Sequence, residues 1–337
     1  MIDNDFWQTI KKQSQLEGAP FFSLAPMEAV TDSIFRQVVS KAAAPDVFYT
    51  EFTNAISITH PKAKFSVMGR LHVDKSEKQP VVQLWGNHAE DFRKAAAEVK
   101  KQGFKAIDIN MGCPDSTVIK NNGGSDLIRH PQDAADIIEA AKTAGLPVSA
   151  KTRLGFSKVD EMSDWLPWLL KQNVAVLTVH LRTKKEMSKV PAHFELINEI
   201  IKMRDQIAPT TLLQINGDIK TRAQGLQLVL DHPGLDGIMI GRGVFENPYC
   251  FQENPQPHSL DDLLNLFDLQ LNLYDDYVSA VGPKRFETLR RFFKIYIRGI
   301  HEAASYRDRL VNTRSTDEAR AIIQELREQA LSQPVAD

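Results

Sequence analysis

The chain has 337 residues, of which 42% are hydrophobic and 25% are charged, and its formal net charge is −2. This composition is that of a globular protein, and the charge balance gives no general attraction to nucleic acid, so RNA binding would need local basic patches. With only two cysteines the chain has no disulfide framework, which favours a reducing cytoplasm. It shows no signal-peptide pattern and no apolar run near about 18 residues, so we do not expect membrane association.

Short apolar runs alternate with segments of helical period over residues 1–250. The predicted strands are Phe21–Met27, Val47–Phe52, Val81–Trp85, Ala106–Asn110, Val148–Arg153, Val174–His180, Thr211–Asn216 and Gly237–Gly241. The predicted helices between them include Asp32–Ala42, Ala89–Lys101, Pro131–Ala144, Glu161–Gln172, Phe194–Gln206 and Thr221–Leu230. Strict alternation indicates a parallel sheet, and eight repeats indicate that the sheet closes into a (β/α)₈ TIM barrel.

Each predicted strand is apolar until its end, where a polar or reactive side chain follows. These side chains are Glu28, Glu51, Gln83, Asn110 with Cys113, Lys151 with Arg153, His180 with Arg182, Asn216 with Asp218, and Arg242. Strands that end in polar loops explain any one of them. All eight together predict a single active site, because barrel enzymes build their sites at the carboxyl ends of the strands.

The alternation stops near Phe251, and residues 252–258 have the proline-containing composition of a linker. Helical period returns in Leu260–Val281, Arg285–Glu302 and Thr316–Gln333, which predict a small separate helical domain over residues 251–337. The second of these segments carries Lys284, Arg285, Arg290, Arg291 and Lys294 beside aromatic residues. On one helical face these cations would suit RNA phosphates, although a solvated helix face over a packed core would have the same pattern.

Two glycine-containing turns follow the seventh and eighth predicted strands. Loops at these places commonly bind phosphate in barrels, because glycine lets backbone N–H groups approach the anion and an arginine adds a charge-assisted contact. Turn formation alone would explain either glycine pair, but their paired position favours a phosphate site. The turns are Asn216-Gly217-Asp218 and Gly241-Arg242-Gly243.

Lys151 and Cys113 are the reactive candidates at the predicted rim. A lysine there could form a Schiff base, place a positive charge beside a flavin, or pair structurally with Glu51 or Asp108. Cys113 precedes the conformation-fixing Pro114, which favours a catalytic acid or nucleophile over an inert core thiol, whereas Cys250 has no such setting. The histidines and cysteines lack metal-ligand spacing, so we expect no metal.

Several segments, in chain order, resemble the motifs of the tRNA-dihydrouridine synthases over roughly residues 20–250. The most specific is the Asn-x-Gly-Cys-Pro element, and two departures are Glu28, where many members have a small residue, and the sequence 187–190 after Arg182-Thr183. The matching segments are Leu24-Ala25-Pro26-Met27, Ile107-Asp108-Ile109-Asn110-Met111-Gly112-Cys113-Pro114, Asn122-Gly123-Gly124, Lys151-Thr152-Arg153-Leu154-Gly155, His180-Leu181-Arg182-Thr183, and the two turns given above.

The resemblance implies an FMN enzyme that uses NADPH to reduce uridine in tRNA, with hydride delivered to C6 and a proton from Cys113 to C5. It implies a cofactor site of Pro26, Met27, Glu28, Gln83, Lys151, His180, Asn216, Gly217, Asp218, Gly241 and Arg242. Substrate contacts would come from Asn110, Arg153 and Arg182, and RNA contacts from the basic residues of 251–337. We expect no obligate protein partner. The target uridine and the preference for NADPH over NADH stay open.

Two alternatives remain from the residues themselves. One is an FMN barrel that acts on a small molecule, such as a dihydroorotate or enoate reductase, but it leaves the basic C-terminal segment without a purpose. The other is a non-catalytic RNA-binding barrel, which the presence of both Cys113 and Lys151 disfavours. The visible spectrum of the purified protein separates enzyme from binding module, because only a flavoprotein absorbs in the flavin bands.

Overall fold

Eight parallel strands form one sheet in a computed structural model that describes residues 5–332. The sheet order β1-β8-β7-β6-β5-β4-β3-β2 places the first strand beside the last, which confirms the predicted TIM barrel. The strands are β1 (Phe21–Leu24), β2 (Thr53–Asn54), β3 (Val82–Trp85), β4 (Ile107–Met111), β5 (Val148–Arg153), β6 (Val176–His180), β7 (Leu212–Asn216) and β8 (Gly237–Ile240).

The predicted second strand, Val47–Phe52, is wrong in its bounds. The segment forms only isolated parallel bridges, from Val47 to β1 and from Tyr49 to Val81 just before β3, and β2 begins at Thr53. The hydroxyl of Thr50 accepts the backbone N–H of Gln83 at 3.1 Å, where a strand would offer a carbonyl. A side chain therefore replaces a ladder hydrogen bond and interrupts the strand.

The helices between the strands lie close to their predicted bounds. Thr221 caps the helix Arg222–Asp231, because its hydroxyl accepts the N–H of Gln224 at 3.2 Å. Among residues 5–332 no helix is long and apolar enough to span a membrane. The helices up to β8 are α1 (Asp5–Glu17), α2 (Ser33–Ala43), α3 (Ala55–Thr59), α4 (Lys64–Leu71), α5 (Ala89–Lys101), α6 (Ser116–Lys120), α7 (Pro131–Lys142), α8 (Met162–Leu170), α9 (Ile197–Ile207) and α10 (Arg222–Asp231).

The chain divides into two compact units. The first comprises the described parts of Met1–Ser33 and Pro45–Arg242, and the second those of Ile34–Ala44 and Gly243–Asp337. After the barrel the second unit thus begins at Gly243, eight residues before the predicted domain 251–337, and it also includes most of α2. Its helices after β8 are α11 (Gly243–Glu246), α12 (Leu260–Ala280), α13 (Phe293–Tyr296), α14 (Ala303–Val311) and α15 (Thr316–Ser332).

The predicted helix Arg285–Glu302 is wrong. Residues Phe286–Phe292 form a 3₁₀-helix, α13 is a single short turn, and Gly299 has a φ of +67°. The buried side chains of Phe286, Leu289 and Phe292 are three residues apart, and a 3₁₀-helix aligns positions i and i+3. Packing in this unit therefore favours the tighter helix, and the left-handed glycine ends the run before α14.

The barrel interior of the first unit is apolar at its base and polar higher up. Trp7 of α1, a helix that the sequence analysis did not predict, packs at the base against Phe21 and Met239. Above it, fully buried polar side chains form hydrogen-bonded chains that link different strands. They are Ser23, Gln83, Asp108, Ser149, Thr178 and Gln214. The upper ends of the strands are thus coupled to one another through side chains as well as through the sheet.

Candidate active site

The carboxyl ends of β5, β6 and β7 bring Lys151, His180 and Asn216 together, as predicted. Strand register aligns His180 with Asn216, and the Lys151 ammonium donates to the Asn216 Oδ1 atom at 3.1 Å. The Asn216 amide nitrogen in turn donates to the carbonyl of Met239 at 2.9 Å. Because a backbone acceptor fixes the direction of this amide, Asn216 presents its oxygen to Lys151 and holds the ammonium at the rim.

Burial controls the protonation of both nitrogen bases at this rim. It lowers the pKa of Lys151 to about 8, with Arg153 acting in the same direction and Asp108 opposing it. Burial, helped by Arg153 and Lys151, also holds the pKa of His180 well below its ordinary value. His180 is therefore neutral, and its buried Nδ1 atom has no hydrogen-bond partner among the described residues. An orphaned polar atom of this kind is satisfied when a ligand supplies the partner.

The turns after β7 and β8 form an anchored loop pair. Gly217 and Asp218 have positive φ values of 122° and 53°. The Asp218 carboxylate accepts hydrogen bonds from the Arg182 guanidinium and, at 3.0 Å, from the N–H of Ala192. These two contacts fix the turn after β7. Arg242 lies 3.6 Å from the same carboxylate with a side chain that is 65% exposed, which leaves its guanidinium accessible to an anion.

These rim residues fit a flavin mononucleotide. A Cβ atom added to Gly241 would meet only Ala25, at 3.5 Å, so a phosphate can approach the backbone there. The Lys151 ammonium and the orphaned His180 Nδ1 atom supply a cation and a polar atom for one edge of a heterocycle. Pro26 and Met27, half-buried after β1, supply apolar surface. Among the described residues no group of acids, histidines and cysteines could hold a metal ion; the expectation of no metal stays a prediction.

Cys113 lies in a turn that is fixed on both sides. The Asn110 side-chain oxygen accepts the N–H groups of Gly112 and Cys113 at 3.1 and 2.9 Å, and Ser125 donates its hydroxyl to the Cys113 carbonyl at 2.9 Å. Arg153 donates to the Gly112 carbonyl at 2.7 Å. These contacts determine where the thiol lies, although they leave the Cys113 side chain partly exposed.

The Cys113 thiol is held in its protonated form. Burial raises its pKa, an effect that the Asp115 charge reinforces and the Asp115 backbone N–H opposes. A thiol with a raised pKa keeps its proton at neutral pH and can give it up to a carbanion-like centre. Cys250 is 2% exposed and burial raises its pKa to about 12, so it has neither access nor reactivity.

A cavity of about 560 Å³ opens beside Cys113. Its walls include three residues that the sequence analysis did not single out as site residues: Trp85, Arg70 and Asp115. Glu28 lines the same cavity and forms an ion pair with Arg70 at 2.5 Å, so it faces the cavity. Trp85 could have been found as the last residue of its strand, but Arg70 lies in α4 and carries no motif.

Two predicted ligand-binding amides are engaged by the protein. The Gln83 side chain, fully buried in β3, donates to Asp108 at 2.6 Å and accepts from Asn110 at 3.0 Å. Asn110 has one amide hydrogen committed to Gln83 and its oxygen committed to the Cys113 turn. Both side chains therefore act at least in part on the framework of the site.

The predicted RNA-binding cations do not share one face. Arg285, Arg291 and Lys294 are exposed, whereas Arg290 turns inward and donates to the Thr313 carbonyl at 3.3 Å. Lys284 lies over the Tyr277 ring, 5.4 Å from its centroid. The physical reason is the 3₁₀-helix, whose three-residue turn separates side chains that an α-helix would align.

The predicted substrate arginines lie inside the first unit. Arg182 is 2% exposed, and besides Asp218 it contacts the carbonyl of Val190 at 2.6 Å. Arg153 is buried between the Cys113 turn and the loop after β6, where it donates to the Thr183 carbonyl at 3.1 Å. Both residues are placed to stabilise the loops of the rim, and their predicted substrate contacts stay untested.

The sequence and structure were compared with known proteins. The family described as dihydrouridine synthase matches residues 23–334. A "Probable tRNA-dihydrouridine synthase" of Staphylococcus aureus (strain MRSA252) is 50% identical over 328 residues, which are 97% of each chain, and the "Probable tRNA-dihydrouridine synthase 2" of Bacillus subtilis (strain 168) is 51% identical over 96% of each. A 2-naphthoyl-CoA reductase structure, 6% identical with a TM-score of 0.51, covers 68% of this chain and 48% of its own, and supports the fold alone.

Proposed function

The chain belongs to the dihydrouridine synthase family, and on that premise we propose that it reduces uridines of tRNA to 5,6-dihydrouridine with FMN as cofactor and NADPH as reductant. The observation that supports this most strongly is the protonated Cys113 thiol at the edge of a 560 Å³ cavity, on the same rim as the fixed Lys151 ammonium. A small-molecule reductase would have no need of the exposed cations of the second unit.

The cofactor site of the proposal comprises the residues at the ends of β1, β3 and β5–β8. We assign to it Pro26, Met27, Glu28, Gln83, Lys151, His180, Asn216, Gly217, Asp218, Gly241 and Arg242. Bound and reduced, FMN would supply the hydride that uracil C6 receives. Lys151 would stabilise negative charge in the site, neutral His180 would offer its Nδ1 atom, and the anchored loops with Arg242 would bind the phosphate.

Cys113 is the proposed general acid. Saturation of the uracil C5–C6 bond needs a proton at C5, and Asn110 and Ser125 fix the backbone of Cys113, which carries the thiol. The cavity can receive a whole extruded base, and extrusion of a uridine from folded RNA costs about a few kcal/mol. Asn110, with one amide hydrogen not committed to Gln83, would contact the uracil. We also propose that the enzyme works in the reducing cytoplasm, where the thiol stays free, without an obligate protein partner.

The proposal is tested directly by the visible absorption spectrum of the purified protein, recorded before and after the addition of NADPH and then of tRNA. Purified protein is expected to absorb in the flavin bands, to lose that absorbance with NADPH in the absence of oxygen, and to regain it with unmodified tRNA. Protein without flavin would contradict the cofactor assignment. Flavin that NADPH reduces but tRNA does not reoxidise would contradict the assigned substrate.

Replacing Arg242 by alanine is expected to weaken FMN binding about tenfold. The guanidinium is exposed beside the anchored Asp218 loop, and a charge-assisted contact to a phosphate contributes about 1.5 kcal/mol or more. The dissociation constant is measured by flavin fluorescence on protein stripped of cofactor. Lys202→Ala, a loss of one exposed cation on α9, serves as the control and should bind FMN like the parent. Equal affinity of Arg242→Ala and parent would remove Arg242 from the phosphate site.

The second unit is proposed to bind tRNA phosphates through its exposed cations. The triple variant Arg285→Ala, Arg291→Ala, Lys294→Ala should bind tRNA more weakly. The slope of the logarithm of its binding constant against the logarithm of salt concentration should be shallower by about 0.7–0.9 for each phosphate that the variant no longer binds. Arg290 is left intact because it is bonded to Thr313. The control triple Lys12→Ala, Lys171→Ala, Lys202→Ala changes the net charge equally on exposed positions of the first unit. Equal salt slopes for both triples would place the RNA elsewhere.

A further inference from the structure

A chain of buried hydrogen bonds connects the barrel interior with the Cys113 turn. It starts at the Asp108 carboxylate, whose Oδ1 atom accepts the Ser149 hydroxyl at 2.6 Å and whose Oδ2 atom accepts the Gln83 amide at 2.6 Å. It continues from Gln83 to the Asn110 amide nitrogen at 3.0 Å. The Asn110 oxygen then accepts the N–H group of Cys113 at 2.9 Å.

All hydrogen bonds of this chain can form with only one assignment of the amide donors and acceptors. Backbone N–H groups can only donate, so Asn110 must present its oxygen to the Cys113 turn and its nitrogen to Gln83. Gln83 must then accept from Asn110 with its oxygen and present its own nitrogen to residue 108. An acceptor is required at that position, and the Asp108 carboxylate is one in every orientation of its side chain. The carboxylate thus sets the direction in which both amides point.

We propose that Asp108 is a positioning residue for the proposed acid: through Gln83 and Asn110 it fixes the backbone turn that carries the Cys113 thiol. This inference rests on the proposed function for its catalytic consequence, but not for its structural one. A network of this kind is rigid when every member is satisfied, and it fails when one acceptor is removed because a buried donor is left unpaired.

Pairing with Lys151 does not account for Asp108. The Lys151 ammonium donates to Asn216, and both Asp108 oxygens are occupied by Ser149 and Gln83. Burial raises the pKa of Asp108 to about 6, against the lowering effect of these two hydrogen bonds and of the Lys151 charge. A fully buried carboxylate is costly, and the direction it imposes on the amide chain is a reason for its presence.

Three variants separate the loss of the acceptor from other effects. Asp108→Leu removes the acceptor for Gln83. Asp108→Asn keeps it: the new amide oxygen can face Gln83 while its nitrogen faces Ser149, whose hydroxyl can turn to Ile107, 3.3 Å away. Gln214→Leu is the matched control, because it removes an equally buried amide from a separate chain between Thr178 and Ser23.

The readout is the pH dependence of Cys113 alkylation by iodoacetamide, followed by mass spectrometry in a Cys250→Ala background where Cys113 is the only cysteine. Asp108→Leu should loosen the turn and lower the thiol pKa towards its ordinary value of about 8.5, so alkylation at neutral pH becomes several-fold faster. Asp108→Asn and Gln214→Leu should keep the profile of the parent. A general loss of stability would affect Asp108→Leu and Gln214→Leu alike.

The flavin reoxidation rate with tRNA gives the catalytic consequence. Asp108→Leu should slow it by about 10–100-fold through misplacement of the thiol, and Asp108→Asn should restore it. If Asp108→Leu does not fold, Gln83→Met interrupts the same chain one residue further on and must give the same alkylation shift.

An unchanged alkylation profile in Asp108→Leu or Gln83→Met, or an equal shift in Gln214→Leu or Asp108→Asn, would overturn the inference. Because alkylation requires no tRNA, this outcome is distinct from a failure of the proposed substrate.

Discussion

Replacement of Cys113 by alanine is expected to slow the reoxidation of reduced flavin by tRNA by about 10²–10⁴-fold, the usual contribution of a positioned acid. The Cys113 thiol is assigned only to protonation of uracil C5, so NADPH should still reduce the flavin of the variant at a rate near that of the parent. Stopped-flow absorbance measures the two half-reactions in separate experiments. A variant that reoxidises as fast as the parent would show that another residue is the acid.

Two further variants and one pH profile sharpen this prediction. Cys113→Ser should retain some turnover through its hydroxyl, while Cys250→Ala should behave like the parent because that thiol is buried. Burial raises the pKa of the Cys113 thiol, so reoxidation should be constant at neutral pH and decline only as the pH rises through this raised pKa. Loss of flavin reduction in Cys113→Ala would instead indicate a structural part in the cofactor pocket.

Replacement of Lys151 by methionine is expected to slow flavin reduction by NADPH by about 10²–10³-fold, the cost of removing one preorganised electrostatic contact. The Lys151 ammonium is partly buried and donates to Asn216, so a bound cofactor would leave little solvent to replace its charge. Lys171→Met, the same substitution on an exposed side chain, should reduce at the rate of the parent. Equal rates for Lys151→Met and parent would remove the Lys151 charge from the reductive step.

The pKa of Lys151 adds a pH dependence with a defined sign. Burial lowers this pKa to about 8 in the cofactor-free protein, so the ammonium loses its proton above that pH. An anionic cofactor favours the protonated lysine, and its affinity should therefore fall as the pH rises above about 8, by at most tenfold per pH unit. Titration of stripped protein with FMN should show this fall in the parent and not in Lys151→Met.

The barrel and its rim were predictable because they follow from local patterns. Strand and helix periods are properties of short segments, and the carboxyl ends of eight parallel strands must meet. Lys151, His180 and Asn216 therefore meet as expected. The motif around Cys113 singles out one of the two cysteines, and the structure places that thiol partly exposed in a fixed turn, while its catalytic role stays a prediction.

The features that the sequence analysis did not predict depend on tertiary packing. Helix α1 places Trp7 in the barrel base, with Phe6 and Ile10 packed against the same cluster, so the purpose of its apolar face is recognisable only when the barrel is present. The segment Arg285–Glu302 has helical period, but its buried residues Phe286, Leu289 and Phe292 are spaced by three and a glycine ends the run. Arg70 reaches the Cys113 cavity from a helix that carries no motif.

Asp108 illustrates a different limit of sequence analysis. The sequence places Asp108 in the strand before Cys113 and allows it to pair with Lys151. The sequence does not reveal that Gln83 and Ser149 occupy both carboxylate oxygens, because those contacts depend on the register of three neighbouring strands. Hydrogen-bond direction is likewise a property of the assembled network.

The central claim is that this chain reduces uridine in tRNA, and one reconstitution tests it most directly. Purified protein is incubated without oxygen with NADPH, FMN and an unmodified tRNA transcript, and the nuclease fragments are weighed by mass spectrometry. The account predicts that at least one specific uridine gains two hydrogen atoms with the parent protein, and that Cys113→Ala leaves it essentially unmodified over the same time. Oxidation of NADPH by flavin-loaded parent protein with no mass change in any uridine would contradict the account.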